Sequence, residues 1–321
     1  MNRIVVVSDI HHACTAEQAR RGYEERAAGG RVARVMLRAY RRFVWLDDPM
    51  AHNHRLPEII RREPRPDVVV GNGDFCLDTA FVGVSDDAAL ASAGESLGLL
   101  RSAYGDRFMA NAGDHEFGKK SFVGGAGGVR RLSLERCESK LGIPVVWSKA
   151  CGRWHLVGVA SSVADWPLFE RETPEAERGW WRGRHEACLA GLAAAFDAVP
   201  PGAPILFFCH DPSALPRLRR LPAVAARLPD VRATVIGHLH TPLVLGVANR
   251  LAGCPTVGWL GNSVRRYTSA LREARCWRDF RVTLCPSPAG IQLLKDGGYL
   301  TLEFDASRAE GLVVRMHRLP W

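Results

Sequence analysis

Five short polar motifs rich in aspartate and histidine recur along the chain, each directly after an apolar run. Carboxylates that can bridge two ions, together with imidazoles, suit borderline divalent metals such as Mn, Fe or Zn. Two such ions held close together can lower the pKa of a water between them and so generate a nucleophile at neutral pH. The residue types therefore indicate a polynuclear metal site. The motifs are Asp9-Ile10-His11, Gly73-Asp74, Gly113-Asp114-His115-Glu116, His210 and Gly237-His238-Leu239-His240.

The apolar runs before these motifs predict the elements that position them. Each run is short and rich in Val, Ile, Phe or Ala, which is typical of a strand in a buried sheet. In open α/β sheets, ligands bind at the carboxyl ends of such strands. We therefore expect the motifs to meet at one edge of a sheet. The runs are Arg3–Ser8, Asp67–Val70, Arg107–Ala110, Pro204–Cys209 and Val231–Ile236.

In this order the motifs resemble the calcineurin-like metallophosphoesterases, whose pattern is D-x-H, G-D-x-x, G-N-H-D/E, a lone His and G-H-x-H. Any one motif is common by chance, but the five in order are specific. The resemblance extends from residue 3 to about residue 264. It implies an α/β fold of four αββα layers, a β-sandwich flanked by helices. A terminal β-hairpin of Gly298–Phe304 and Leu312–His317 is predicted from alternating apolar residues.

The resemblance also implies a role for each motif residue in a site with two divalent ions, Mn, Fe or Zn. Taken singly, an Asp after a strand is ordinarily a helix N-cap, and a lone His is ordinarily a satisfied polar residue. Seven residues of a metal-ligand type, in the order of the family pattern, argue against that interpretation. The implied ligands are Asp9, His11 and His240 for one ion, Asp114, His210 and His238 for the other, and Asp74 as the bridge.

His115 has no metal role in the resemblance. It would lie over the phosphate and aid the leaving group while a metal-bridging hydroxide attacks phosphorus. Glu116 follows directly, and we expect its carboxylate to hold the imidazole in one tautomer. Gly73 and Gly237 would leave room for backbone close to the ions.

Asp114 is the one motif position that departs from the family, which usually has Asn there. An aspartate lowers the net charge of the metal cluster by one unit. This predicts tighter binding of the second ion and a less acidic bridging water. An alternative is that Asn111 is the ligand, but it lacks the Gly before it and the His after it.

Length and composition are those of a globular protein. A chain of 321 residues, 47% apolar and 24% charged, can bury a large core, and we predict a single domain over residues 1–321. No apolar run approaches the ~20 residues of a membrane span. The N-terminus does not fit a signal peptide, which predicts a cytoplasmic protein; a leader removed earlier stays an alternative. The nine cysteines form no C-x-x-C pair, which predicts reduced, buried thiols.

The formal charge is +9, and arginine outnumbers lysine 38 to 5. A basic balance favours anionic partners such as phosphate esters, nucleic acid or an acidic membrane surface. The arginines are scattered along the chain, so a GC-rich coding sequence explains the composition equally well. The oligomeric state stays open.

The segments between the motifs must select the substrate. Residues 12–66 are predicted to form a helical insert with helices over Val32–Trp45 and Leu56–Arg62. We favour packing of this insert on the sheet over a cover for the site. Residues 161–185 are a candidate substrate rim, although their tryptophans suit a core. We interpret Arg265, Arg266 and Tyr267 as surface residues, with phosphate binding as the alternative.

The favoured function is hydrolysis of a phosphorylated small molecule, as a monoester or a diester. The alternative is a nuclease of the same superfamily, which would need a basic groove with aromatic stacking positions. A non-catalytic scaffold is disfavoured because such relatives lose metal ligands. A purple acid phosphatase would have Tyr at the position of Leu77, and protein serine/threonine phosphatases carry longer motifs around Asp9 and Asp74.

Overall fold

The computed structural model describes residues 1–121, 125–259 and 262–321, whose strands form two five-stranded sheets. The first sheet has the order β10-β9-β1-β2-β3 and the second β4-β5-β6-β7-β8 once the strands are numbered along the chain. The strands are β1 (Asn2–Val7), β2 (Val68–Asn72), β3 (Phe108–Asn111), β4 (Val146–Cys151), β5 (Trp154–Val159), β6 (Ile205–Cys209), β7 (Val231–Ile236), β8 (Val282–Leu284), β9 (Gly298–Phe304) and β10 (Val313–Arg318).

Helices occupy most of the connections between the strands. None of those in the described ranges is long and apolar enough to cross a membrane. The α-helices are α1 (Thr15–Gln18), α2 (Tyr23–Ala27), α3 (Arg31–Phe43), α4 (Arg55–Arg62), α5 (Asp87–Tyr104), α6 (Asp114–Phe117), α7 (Arg131–Ser139), α8 (Ser161–Ala164), α9 (Trp166–Phe169), α10 (Arg178–Asp197), α11 (Leu215–Leu218), α12 (Pro222–Arg227), α13 (Pro242–Arg250) and α14 (Asn262–Glu273). Shorter 3-10 turns span Pro49–His52, Gly83–Ser85, Gly105–Arg107, Glu170–Glu172, Glu175–Glu177, Pro212–Ala214, Leu228–Asp230 and Ala274–Arg278.

Both sheets are mixed. In the first, β1, β2 and β3 are parallel, with Val7 opposite Gly71 and Gly71 opposite Ala110, and β9 is antiparallel to both β1 and β10. In the second, β5, β6, β7 and β8 are parallel, and β4 is antiparallel to β5. Each sheet therefore presents the carboxyl ends of several neighbouring strands at one edge.

Alternating strand residues divide the core into two layers. Ile4 and Val6 of β1 pack with Leu206 and Phe208 of β6 in a cluster that includes no helix residue. The residues between them in β1, such as Val5, face a second cluster that includes the helices. The two sheets therefore stack with helices outside, which confirms the predicted α/β fold of a β-sandwich flanked by helices.

Most predicted strands have observed counterparts. The five runs before the motifs match β1, β2, β3, β6 and β7, and the terminal hairpin matches β9 and β10. Neither β4, whose alternate residues are partly exposed, nor β8, which has three residues, was predicted from the sequence. These two strands lack both the continuous apolar run of the strands before the motifs and the longer alternation of the terminal hairpin.

The two predicted helices of the insert differ in how they pack. Leu56 and Ile59 of α4 are buried in the core, as expected for a helix that packs on the sheet. In contrast, α3 has no buried residue, and its apolar Val32, Val35 and Phe43 are 74%, 64% and 65% exposed. The expectation that the insert packs on the sheet is therefore correct for α4 and wrong for α3.

Candidate metal centre

The sequence-predicted site residues meet at the carboxyl ends of parallel strands. Because β1, β2 and β3 are neighbours, as are β6 and β7, motifs far apart in the chain become adjacent. The structure brings together all eight of them in three overlapping groups. The groups, each with ligand atoms within 4.8 Å of one another, are Asp9 with His11 and His240, Asp74 with Asp114, His210 and His238, and His11 with Asp74 and His115.

Many of these residues have a left-handed backbone. This conformation is unfavourable for residues with a Cβ and persists at functional sites where the surroundings enforce it. Here the main-chain amide of His238 donates to both carboxylate oxygens of Asp9, at 2.9 and 3.1 Å, and the amide of His11 donates to the Asp74 carbonyl at 2.9 Å. These bonds hold the strained turns. The φ values are 55° at Asp9, 48° at His11, 57° at Asp74, 58° at His238 and 60° at His240.

Two glycines permit this close approach, as predicted. Gly73 has a φ of 97°, and a Cβ there would lie 2.7 Å from both His210 Nδ1 and the Gly113 amide nitrogen. At Gly237 a Cβ would overlap the side chains of Ser8 and Asp9. Larger residues at either position would displace the candidate metal ligands.

His210 connects the two carboxylates of the four-residue group. Its Nε2 lies 3.2 Å from Asp74 Oδ2 and 3.4 Å from Asp114 Oδ1. Its Nδ1 lies 2.6 Å from the carbonyl oxygen of Asn72, which can only accept a hydrogen bond, so Nδ1 carries a proton. Asp74 Oδ2 and His210 Nε2 are buried without a hydrogen-bond partner. Buried polar atoms left unpaired in this way fit coordination of a cation.

The second group contains two facing imidazoles. His11 Nε2 lies 3.3 Å from His240 Nε2, and the latter lies 3.4 Å from Asp9 Oδ1. Burial, helped by the neighbouring His115, lowers the pKa of His11 to about 4. Burial, helped by His11, likewise holds the pKa of His240 well below its usual range. Neutral imidazoles whose nitrogens converge beside a carboxylate suit a divalent cation.

Two buried carboxylates of the centre, Asp74 and Asp114, have pKa values below the ordinary range. Although burial and the Asp114 carboxylate raise it, His210 and His115 hold the pKa of Asp74 below its ordinary value. Burial also raises the pKa of Asp114, but Lys119 and His238 bring it well below the usual range. Asp74 and Asp114 are therefore anionic at neutral pH, at the point where the two groups meet.

Lys119 was not identified from the sequence as part of this site. Its Nζ forms an ion pair with Asp114 Oδ2, and its side chain is 24% exposed. Burial lowers the pKa of Lys119, yet Asp114 and Asp74 raise it above its ordinary value, so its charge is retained. The prediction that Asp114 simply adds one negative charge to the cluster needs revision, because Lys119 supplies an opposing charge. A lysine five residues after Asp114, one of five in the chain, was the available signal.

His115 is oriented by a main-chain group rather than by Glu116. Its Nδ1 lies 2.8 Å from the Leu77 carbonyl oxygen, so Nδ1 is protonated and Nε2 faces Asp74 Oδ2 at 3.9 Å. Glu116 instead accepts from the amides of Asp74 at 2.9 Å and Gly113 at 2.8 Å. The expectation that Glu116 orients the ring is therefore wrong. Its carboxylate joins the turn after β2 to the start of α6.

A cavity of about 810 Å³ adjoins the centre, with His11, His115, His238 and His240 in its wall. The insert contributes Trp45, whose ring centroid is 4.8 Å from that of His240. From the sequence, Trp45 was expected only as part of a helix, although the observed helix ends at Phe43.

Other segments between the motifs also reach this cavity. Within residues 161–185, Leu168 lines it, whereas Trp166 and Trp181 are buried in the core. Arg266 and Tyr267 line it as well, with the Arg266 side chain 16% exposed. The interpretation as a surface residue is therefore wrong for Arg266, whereas Tyr267 is 41% exposed as expected. Both side chains are available to a molecule in the cavity.

Several solved structures are similar to the chain. It is similar to a dimetal phosphatase from Danio rerio, with 12% identity, a TM-score of 0.47 and coverage of 94% of this chain and 92% of that one. It is also similar to a purple acid phosphatase from yellow lupin (Lupinus luteus) seeds, with 14% identity, a TM-score of 0.36 and coverage of 74% of this chain and 38% of that one. It is similar as well to the phosphopantetheinyl hydrolase of Mycobacterium tuberculosis, with 15% identity, a TM-score of 0.33 and coverage of 75% of this chain and 84% of that one.

No protein with a curated description matches the sequence significantly. The family model of the calcineurin-like phosphoesterases matches residues 2–242, which include all five motifs. The chain belongs to the calcineurin-like phosphoesterase family.

Proposed function

We propose that the protein hydrolyses small phosphate esters, monoesters or diesters, with two divalent cations. The observation that carries this proposal is the pair of Asp/His groups with buried, unpaired ligand atoms. We assign Asp9, His11 and His240 to one cation, Asp114, His210 and His238 to the other, and Asp74 to both.

When bound, the two cations supply neutralisation of the phosphoryl oxygens and a lowered pKa for water between them. The protein fixes the ligands in advance. Asn72 keeps the proton of His210 on Nδ1, which leaves Nε2 directed at the two carboxylates. Burial keeps His11 and His240 neutral, so their lone pairs are available without loss of a proton.

We propose that His115 contacts the reacting phosphate. Because the Leu77 carbonyl holds the proton on Nδ1, Nε2 is the nitrogen directed into the site. A proton taken up on Nε2 can be donated to the departing oxygen as the ester bond breaks. In this proposal His115 has no role as a metal ligand, although it lies close enough to His11 and Asp74 to form a third group.

The test is hydrolysis of p-nitrophenyl phosphate and bis-p-nitrophenyl phosphate with Mn²⁺ or with EDTA. We expect metal-dependent hydrolysis of at least one ester, lost in Asp74→Asn. A matched control is Asp87→Asn, because the Asp87 side chain is 89% exposed and belongs neither to the Asp/His groups nor to the wall of the cavity. Absence of hydrolysis from a protein that holds two Mn²⁺ ions would contradict the proposal.

His115→Ala separates chemistry from metal binding. We expect turnover to fall by roughly 10²–10⁴-fold, the usual contribution of a proton-transfer residue, while the metal content stays near two ions. His54→Ala, at an exposed histidine, should leave turnover unchanged. Full turnover in His115→Ala would remove its assigned role.

The same preparations, incubated with single-stranded DNA, test the nuclease alternative. The proposed function predicts no cleavage of DNA. Cleavage of DNA by a protein inactive on both small esters would replace the proposal with a nuclease.

A further inference from the structure

We propose that the substrate is an amphiphilic phosphate ester whose apolar group, such as an alkyl chain, occupies the 810 Å³ cavity beside the metal centre. This inference rests on the proposed function and adds the substrate class to it. The cavity has the size of a site for a drug-sized molecule, for which typical volumes are about 300–1,000 Å³.

The cavity combines reactive and apolar walls. The same continuous space touches His11, His115, His238 and His240 and a larger number of aliphatic and aromatic side chains. A substrate made only of phosphate and hydroxyl groups would leave this apolar surface uncovered. The apolar wall includes Leu37, Tyr40, Trp45, Phe81, Tyr267 and Leu271.

Aromatic rings extend this wall from the metal centre outward. The Trp45 ring lies 4.8 Å from the His240 ring and stacks on Tyr40 at 6.0 Å, both measured between centroids. A second pair, Tyr23 and Phe81, has centroids 5.5 Å apart. The apolar surface therefore begins next to a proposed metal ligand, where the group esterified to the phosphate must lie.

Cations in the same wall suit the phosphate end of such a molecule. Lys119 and Arg266 both line the cavity. Arg266 is held in place, because its Nε lies 3.2 Å from Glu172 Oε1 and its guanidinium lies over the Phe169 ring at 5.0 Å. Fixed positive charge beside an apolar wall matches the two ends of an amphiphilic phosphate.

Helix α3 keeps apolar surface uncovered at this cavity. Met36 and Tyr40 line the cavity while 67% and 46% exposed, respectively, and no residue of the helix is buried. Clustered exposed apolar side chains in globular proteins mark binding sites. An apolar chain in the cavity would remove part of this surface from water, which favours its binding.

A series of alkyl phosphates from methyl to decyl tests the inference with the Mn²⁺-loaded protein. We expect kcat/KM to rise with chain length, by up to about fourfold for each methylene that becomes buried. A flat series, in which methyl phosphate and decyl phosphate are hydrolysed equally well, would overturn the inference and leave the proposed function intact.

A pair of variants in one helix tests the location. Leu37 lines the cavity, whereas Val32 in the same helix is 74% exposed and does not. We expect Leu37→Gln to lower the ratio of kcat/KM for decyl over methyl phosphate by about tenfold, which equals about 1.4 kcal/mol, and Val32→Gln to leave it unchanged. Equal effects of both variants would overturn the assignment to this cavity.

If no ester in the series is hydrolysed, the proposed function fails, and binding of non-hydrolysable phosphonates decides the inference separately. Titration calorimetry should show tighter binding of decylphosphonate than of methylphosphonate, with the difference reduced in Leu37→Gln. Equal affinities for the two phosphonates would overturn the inference.

Discussion

At the scale of single residues, the ion pair of Lys119 with Asp114 distinguishes this centre from the usual family pattern. By the resemblance, relatives usually have a neutral Asn at the position of Asp114, whereas this chain has an anion together with a partly buried cation. The Lys119–Asp114 pair therefore gives the cluster the same net charge as a neutral Asn at this position would. Because Lys119 opposes a nearby divalent cation and Asp114 attracts it, the two side chains should affect metal affinity in opposite directions.

We predict that Asp114→Asn weakens Mn²⁺ binding by about tenfold, and that Lys119→Met strengthens it by about tenfold, or about 1.4 kcal/mol each. The double variant should bind Mn²⁺ with nearly wild-type affinity, since its net charge is unchanged. Competition with a chelator measures the affinities. Lys140→Met, at an exposed lysine, is the control and should have no effect. Equal weakening in Asp114→Asn and in the double variant would show that charge balance is not the reason for the pair.

At the scale of elements, the site depends on the turns that follow the strands, in which the ligand residues have a left-handed backbone conformation. The carboxyl ends of β1 and β7 come so close that Gly237 faces Asp9 with no space for a methyl group. Main-chain bonds tie these turns together, as from the Gly237 amide to the His210 carbonyl at 2.9 Å. The strands therefore position the ligands through backbone contacts as well as through side chains.

Gly237→Ala should displace Asp9 and lower the metal content below two ions per chain. The loss of stability should be about 1–3 kcal/mol, as is typical when a well-packed site must accept an extra methyl group. Gly246→Ala is the matched control, because its Cβ would meet nothing within 4 Å and α13 should tolerate alanine. Metal analysis and urea unfolding provide the readouts. Full metal content in Gly237→Ala would contradict this account.

Within the insert, α3 and α4 differ in how far they are buried, and one variant in each helix tests this difference. Ile59→Ala in α4 should lower the free energy of unfolding by about 2–4 kcal/mol, because the Ile59 side chain is completely buried. Val35→Ala in α3 should change it by less than about 0.5 kcal/mol, since Val35 is 64% exposed. Urea unfolding of both variants checks the prediction. A large loss in Val35→Ala would mean that α3 packs against the rest of the protein.

At the scale of the whole molecule, the candidate metal centre lies where the two sheets meet. Asp9, Asp74 and Asp114 follow strands of the first sheet, whereas His210 and His238 follow strands of the second. Cations bound between them would link the two sheets. Ligands that bind only the folded state stabilise it by mass action.

Metal removal should therefore lower thermal stability. At an Mn²⁺ concentration about 100 times the dissociation constant, the stabilisation should be about 2.7 kcal/mol, and the melting temperature should rise by about 5 °C relative to protein in EDTA. Asp74→Asn should lose this rise and Asp87→Asn should keep it. Equal melting temperatures with Mn²⁺ and with EDTA would contradict metal binding at this site.

The sequence by itself determined the strands that end in the site and the residues gathered there. Each such strand is an apolar run followed within four residues by its Asp or His, so both signals are local and can be recognised without knowledge of the fold. The parallel neighbours then had to bring their carboxyl ends together, which is why all eight predicted residues converge.

Only the tertiary structure decided the partners of those residues and the space beside them. The ion pair of Lys119, the main-chain bonds of Glu116 and the carbonyl that orients His115 depend on loop geometry that no periodic pattern encodes. The cavity joins Tyr40 and Trp45 of the insert to Tyr267 of α14, more than 200 residues later in the chain. Contacts between segments far apart in the chain, which leave no local signal in the sequence, decided both the partners of the site residues and the shape of the cavity. These contacts would also select the substrate.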